Sequence, residues 1–294
     1  MQRLIFRTFV VTLVTVGAVG VAQAAGVSGQ GTWETTLQGR DLDGNLDNGA
    51  EAFYDTALNV TWLKDTKYAF GTPYDSIDGA TDGRMRWVNA VAWADSLSFY
   101  DGVLQVTYDG WRLPIAGPVN GTSTNFGDST YDGSTDYSHN ISAPNSAFPG
   151  SKGSEMAYLF YNELGNKSYC AVSASCLPAP PQPGWGLVNT GPFSDLSGVY
   201  WSGAELPPGV GTDAAVFFVF SSDAQVGIWD SDVGGQLAFS KDGRIHAWAV
   251  HDGDVGSPIP EPETYALMLA GLGVLGVAVR RQRCSTIYST GGLL

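Results

Sequence analysis

Ala52-Phe-Tyr-Asp-Thr-Ala-Leu-Asn-Val-Thr-Trp-Leu-Lys64 consists of two short aromatic and β-branched runs joined by a turn at Asp55 to Asn59. That is the signature of a β-hairpin, because such side chains fit a pleated, half-buried surface and Asp and Asn tolerate the turn. Upstream, Thr32 to Gln38 alternates like an edge strand and runs into a cluster of turn residues from Asp41 to Gly49. Asp41, Asp43, Asn45 and Asp47 stand at every second position, like the opening of a calcium loop. The pattern then departs from such a loop: counted from Asp41, the sixth position is Leu46 instead of Gly and the twelfth is Ala52 instead of Glu. Solvated turn residues are the simpler reading, with calcium kept as the one candidate cofactor.

Downstream the period changes. Trp87, Val88, Val91, Ala94 and Leu97 fall on one face at helical spacing and predict a helix over 85–97. Trp111-Arg-Leu-Pro114 reads as a short buried strand. The stretch 117–150 is mostly Gly, Ser, Thr, Asn, Asp and Tyr without an aliphatic pattern, which makes it a functional surface loop or a mobile insertion. A second helix follows, with Ser154 as N-cap, Met156, Leu159, Phe160 and Leu164 as its apolar face, and Gly165 placed to end it. Strands are expected at 199–204, 214–221, 225–230, 236–240 and 245–251, with the spacing of an antiparallel sheet. In the last of these His246 and His251 point to opposite faces and cannot chelate one ion together. The pattern predicts one α+β domain over 25–257, antiparallel sheets with two helices.

The ends of the chain read differently. Arg3 and Arg7 precede an apolar run from Phe9 to Val21 and the A-x-A site Ala22-Gln-Ala24. This is a secretory leader over 1–24, cleaved between Ala24 and Ala25. At the other end Pro260-Glu261-Pro262 leads into an uncharged apolar run from Thr264 to Val279, followed by Arg280, Arg281 and Arg283. Sixteen helical residues reach ~24 Å, short of a ~30 Å hydrocarbon core, so the run crosses a membrane with help from its flanks. Basic residues prefer the cytoplasmic side, which leaves the domain outside. The segment 258–283 resembles the PEP-CTERM sorting signal of Gram-negative bacteria. That resemblance implies recognition by an exosortase, a membrane-embedded cysteine protease, and delivery to the cell surface or into exopolysaccharide. One departure is the tail 284–294, which continues past the basic cluster where the family usually stops.

Charge narrows the partners. The chain carries a formal net charge of −14, and the arginines at its two ends leave the region 25–257 with ten basic residues against 27 acidic ones, a net of −17. A field of that sign repels phosphate backbones and argues against nucleic acid. A neutral exopolysaccharide, or an anionic one bridged by calcium, remains compatible. Cys170 and Cys176 flank five residues of a turn-rich stretch, and in an oxidising compartment a disulfide is expected over two free thiols. Nucleophile elbows, zinc-binding H-E-x-x-H and phosphate-binding glycine loops are not found in the sequence. Carboxylates are plentiful, so an acid pair of the glycosidase kind stays open, since such a pair is defined by separation in space.

A second resemblance spans most of the region between the ends. Tyr54-Asp-Thr56, Leu58-Asn-Val-Thr-Trp-Leu63, Trp111-Arg-Leu-Pro114, Ser154-Glu-Met156, Tyr200-Trp-Ser-Gly203 and Ala247-Trp-Ala-Val250, closed by Gly253-Asp-Val255, are similar in order and spacing to the DUF1566 family. That family is related to the carboxy-terminal domain of the Legionella collagen-like adhesin. The resemblance implies a C-type-lectin-like or formylglycine-generating-enzyme-like fold and a non-catalytic adhesive or scaffold role at the cell surface and in biofilm matrix. The alternative function is an envelope glycan hydrolase using a carboxylate pair.

Overall fold

The computed structural model describes residues 26–259, apart from 78, 80, 128–130, 174, 177–179 and 212. In chain order its strands are β1 (Leu37–Asp41), β2 (Ala52–Asp55), β3 (Val60–Leu63), β4 (Arg84–Met85), β5 (Phe99–Asp101), β6 (Val106–Tyr108) and β7 (Trp111–Arg112). They continue with β8 (Ser138–His139), β9 (Val199–Glu205), β10 (Ala214–Val219), β11 (Gly235–Ser240), β12 (Ile245–His246), β13 (Val250–Asp252) and β14 (Ser257–Pro258). The helices are α1 (Trp33–Thr36), α2 (Pro73–Ser76), α3 (Trp87–Asp95) and α4 (Glu155–Tyr158), the last continued by a π-helical turn over Leu159–Glu163. Two six-stranded sheets result, ordered β14-β1-β2-β3-β13-β7 and β4-β12-β9-β10-β11-β8, with β5-β6 as a separate ribbon. Neighbouring strands are antiparallel except β12 beside β9, so the architecture is α+β, rich in antiparallel sheet with few helices.

The hairpin forms for the reasons its residues suggest. Phe53 pairs with Trp62 and Tyr54 with Thr61 across β2 and β3. Asp55 closes the turn by accepting the backbone N–H groups of Ala57 and Leu58 at 2.9 and 2.8 Å, and Asn59 takes the left-handed conformation, φ 59°. The other oxygen of Asp55 accepts the indole N–H of Trp62 at 3.2 Å. Trp62 then meets Trp248 at a 4.6 Å ring separation, and Phe193 stands edge-on to Trp248 at 4.9 Å. Tyr200 from the second sheet, and Phe220 just past the end of β10, reach the same indole at 5.7 and 6.1 Å. The core is therefore an aromatic layer between the sheets, with Trp248 touching both.

Several sequence expectations need correction. The strand expected over 245–251 is two strands in different sheets: β12 ends at His246, the chain crosses through Ala247 to Ala249, and β13 begins at Val250 in the other sheet. A period-2 pattern runs unbroken through such a crossover when both of its faces are buried, as Ala247, Trp248 and Ala249 are. No strand forms over 225–230; the segment is a tight turn closed by a bridge between Asp223 and Ile228. The alternating start at 32–36 is the helical turn α1, and β1 lies one strand inside the edge, beneath β14. Helix α3 buries Ala90, Trp93 and Ala94 and leaves Val88 and Val91 exposed, because apolar residues surround it almost completely and fix no single face. The second half of the 117–150 segment is packed inside. Asp136, Ser138, His139, Asn140 and Ser142 are buried, and Asp136 alone accepts the backbone N–H groups of Val119 and Asn125 at 2.7 and 2.6 Å. Hydrogen-bonded polar groups such as Asp136 and Asn140 fill much of that interior, which hydrophobic periodicity does not register.

The second helix follows its pattern. Ser154 accepts the N–H of Ala157 at 3.3 Å, Met156, Leu159, Phe160 and Leu164 are closed to solvent, and Gly165 ends it at φ +63°. The leader 1–24 with its cleavage pair Ala24–Ala25, the apolar run 264–279 and the tail 284–294 lie outside the described residues. Among the described residues no helix is long and apolar enough to cross a membrane.

Candidate functional site

The carboxy-terminal exit of the domain is built at the outer edge of the first sheet. Asp41 pairs with Ser257 and Arg40 with Pro258, and Ile259 donates its backbone N–H to the Gly39 carbonyl at 3.2 Å. Just upstream, the almost fully buried Arg40 grips the two carboxylate oxygens of Asp254 through Nε and Nη2, at 2.6 and 2.9 Å. Thr61 donates its hydroxyl to the Gly253 carbonyl at 2.7 Å. A bidentate guanidinium–carboxylate pair with one partner buried is among the stronger polar contacts available to a surface segment. Of the sorting signal, Pro258 and Ile259 are described, whereas Pro260, Glu261, Pro262, Arg280, Arg281 and Arg283 lie outside the described residues.

Next to this edge sit the acidic side chains of the 41–51 loop. Asp41 accepts the N–H groups of Asp43 and Gly44 at 3.0 and 2.8 Å, and Glu51 accepts that of Leu42 at 3.0 Å. Asp41, Asp43 and Glu51 each bring one oxygen within 4.8 Å of the others. These three are the described residues whose oxygen donors suit a hard cation. The sequence-based set fits this only in half. Leu46 opens a 3₁₀ turn over Leu46–Asn48, so Asn45 serves as its cap, accepting the Asp47 N–H at 3.2 Å, and Asp47 does not join the cluster. Glu51 joins instead because β1 and β2 pair, with Glu51 N–H on the Arg40 carbonyl at 3.1 Å. Burial, then the charges of Asp43 and Asp41, raise the Glu51 carboxyl above its ordinary value.

Cys170 and Cys176 are joined as a disulfide with Cα atoms 5.3 Å apart. Val172, inside the loop that the bridge closes, lines an amide-rich pocket of about 520 Å³ together with Asn140, Asn145, Asn162, Asn166 and Gln182 among others. Much of that polarity is spent on the framework: Asn140 donates to the carbonyls of Tyr131 and Cys170 at 2.8 and 3.0 Å. A larger groove of about 650 Å³ runs between the exposed side of α3 and the segment after β7. Trp87, Val88, Val91, Leu113 and Ile115 make it apolar, with Asp95 and Arg112 also in its wall. Arg112 is held by Glu155 at 2.9 and 2.7 Å and by Asp252 at 2.9 and 2.5 Å, which ties the groove to α4 and to β13.

One buried carboxyl group, Glu163 beside Asp55, has strongly perturbed ionisation. Glu163 and Asp55 are both fully buried, and neither oxygen of Glu163 makes a hydrogen bond of ordinary geometry. Burial, reinforced by the neighbouring Asp55 charge, pushes Glu163 up to about 9, so it holds its proton at neutral pH. Glu163 is thus a proton-bearing acid next to a second acidic side chain, yet both are closed to solvent. The sequence contains a signal for it: Glu163 falls on the same helical face as Met156, Leu159 and Phe160, a charged residue inside an apolar stripe. Glu51 and the groove carry no comparable signal, since strand pairing and chain crossing create them.

Comparison with protein families matches residues 258–283 to the PEP-CTERM protein-sorting motif. Comparison with curated proteins and with solved structures finds no match. The motif implies an exported protein that passes through a membrane-anchored sorting step, with recognition by an exosortase.

Proposed function

We propose that this chain is an exosortase-sorted binding or scaffold protein of the cell surface or exopolysaccharide matrix, without catalytic activity of its own. The observation that carries the reading is the position of the sorting motif, which begins within the last strand of a folded, acidic, aromatic-cored domain. Such an order suits a protein delivered as an intact domain. The DUF1566 resemblance adds an adhesin-like, C-type-lectin-like cast to the same reading, and the net charge favours a neutral glycan or a calcium-bridged anionic one. For the hydrolase alternative, the pair Asp55 and Glu163 is sealed from any sugar, and the 650 Å³ groove is mainly apolar.

Two measurements test this. Purified exported protein, incubated with the host's own exopolysaccharide in calcium and in chelator, is expected to be retained without releasing new reducing ends. Release of reducing ends would make the protein an enzyme, and lack of retention in either condition would remove the matrix role. Glu261→Ala in the full chain is expected to leave the apolar segment uncleaved in the native cell, seen as a larger, membrane-bound form; unchanged cleavage refutes exosortase recognition.

A further inference from the structure

The sorting match begins at Pro258, a residue already committed to the fold. Ser257 and Pro258 form β14 on the outer edge of the first sheet, and Ile259 is held on the Gly39 carbonyl. Four residues separate Ile259 from Thr264, where the apolar run starts. An extended chain covers at most ~3.6 Å per residue, so those five steps span no more than ~18 Å. With the edge strand in place, the contour of the chain allows no more than that distance between the sheet edge and the start of the apolar run. The backbone just ahead of Pro260-Glu261-Pro262 is also in use by β1, whereas partners that read extended segments do so through main-chain hydrogen bonds.

The same edge is constructed to come away in a limited length. β14 has only two paired residues, lies outermost, and includes Pro258, which has no N–H to give. Pro258 is exposed, and short edge pairings of this kind open at little cost. Three residues upstream of β14 the chain is fastened by the Arg40–Asp254 pair, where opening stops. Peeling Ser257 to Ile259 back to Gly256 lengthens the tether to eight steps, roughly 28 Å, and frees the backbone preceding the motif. We infer that Ser257–Ile259 is a releasable strap, and that the membrane-embedded sorting protease takes the Pro-Glu-Pro motif only after the strap has left β1. This rests on the sorting function proposed above and adds its control by the fold.

The structure supplies the means of locking the strap. A Cβ built on Gly39 lies 3.7 Å from the Cβ of Ile259, within the ~3.5–4.5 Å separation of a disulfide. The full chain carrying Gly39→Cys and Ile259→Cys together, expressed in the native cell, is compared with each single variant and with the unaltered chain for conversion to the shorter, processed form. The locked chain is expected to accumulate uncut, to be cut again when a membrane-permeant reductant is added, and to be cut without reductant when a six-residue Gly/Ser insertion follows Ile259. Cutting of the locked chain at the rate of the unaltered one would overturn the strap. So would a locked chain that stays uncut with the insertion, since the crosslink would then be harming the domain itself. If the unaltered chain is not cut at all, the sorting function itself falls and the strap's role with it.

Discussion

Glu163 binds a proton that its unfolded counterpart gives up near 4.5, and keeps it to about 9. Between those values the folded protein carries one more proton than the unfolded chain at this position, so stability from this group is full below 4.5 and falls as pH rises toward 9. His246 acts in the opposite direction. Burial, with Arg84 nearby, pushes it down to about 4 from 6.5, so the stability linked to its neutral form is present above 6.5 and lost as pH falls toward 4. Its Nδ1 contacts the Gly83 carbonyl at 3.0 Å, an arrangement that suits the neutral ring with the proton on Nδ1. Glu163→Gln keeps the shape and removes the ionisation. Urea midpoints measured from pH 7 to 9, above the window in which His246 contributes, are expected to decline for the native chain and to stay level for the variant, which becomes the more stable of the two at alkaline pH. Parallel declines would show that Glu163 ionises freely in the fold.

At the scale of single elements, the disulfide loop offers the cleanest test. Closing a loop of about seven residues removes unfolded-state entropy worth about 2 kcal/mol at 25 °C in the chain-entropy model. Cys170→Ser with Cys176→Ser should therefore lower the unfolding free energy by about that amount, with the amide-rich pocket the first region to gain hydrogen exchange. How far elements were legible in the sequence depended on where their information lay. The β2–β3 hairpin was readable because Asp55 and Asn59 make its turn locally, and α4 because Ser154 and Gly165 mark its ends. The crossover at 247–249 was not, since a run buried on both faces looks the same whether it stays in one sheet or changes sheets. Likewise the sorting motif was readable as a contiguous string, while Glu51 entered the acidic cluster only through the pairing of β1 with β2.

For the whole molecule, the two sheets share one fastening. Trp248 contacts Trp62 and Phe193 on one side and Tyr200 and Phe220 on the other, and its indole N–H reaches the Leu63 carbonyl at 2.8 Å. Removing a fully buried Trp costs roughly 3–5 kcal/mol, a large part of a domain's stability. Trp248→Ala is thus expected to lower the melting temperature steeply and to do so for both sheets at once. Native-state hydrogen exchange should give one common opening free energy for core amides of β3 and of β10; clearly different values would mean that the sheets melt independently.

The placement of β12 and β13 also sets a timetable. β13 lies inside the first sheet, between β3 and β7, and β12 inside the second, between β4 and β9, yet both are among the last strands in the chain. A polypeptide that emerges amino end first, from a ribosome or through a membrane pore, has two gapped sheets until residue 250 has arrived. The domain becomes whole only as the sorting motif comes into view, so maturation of the fold and arrival of its address label coincide in time.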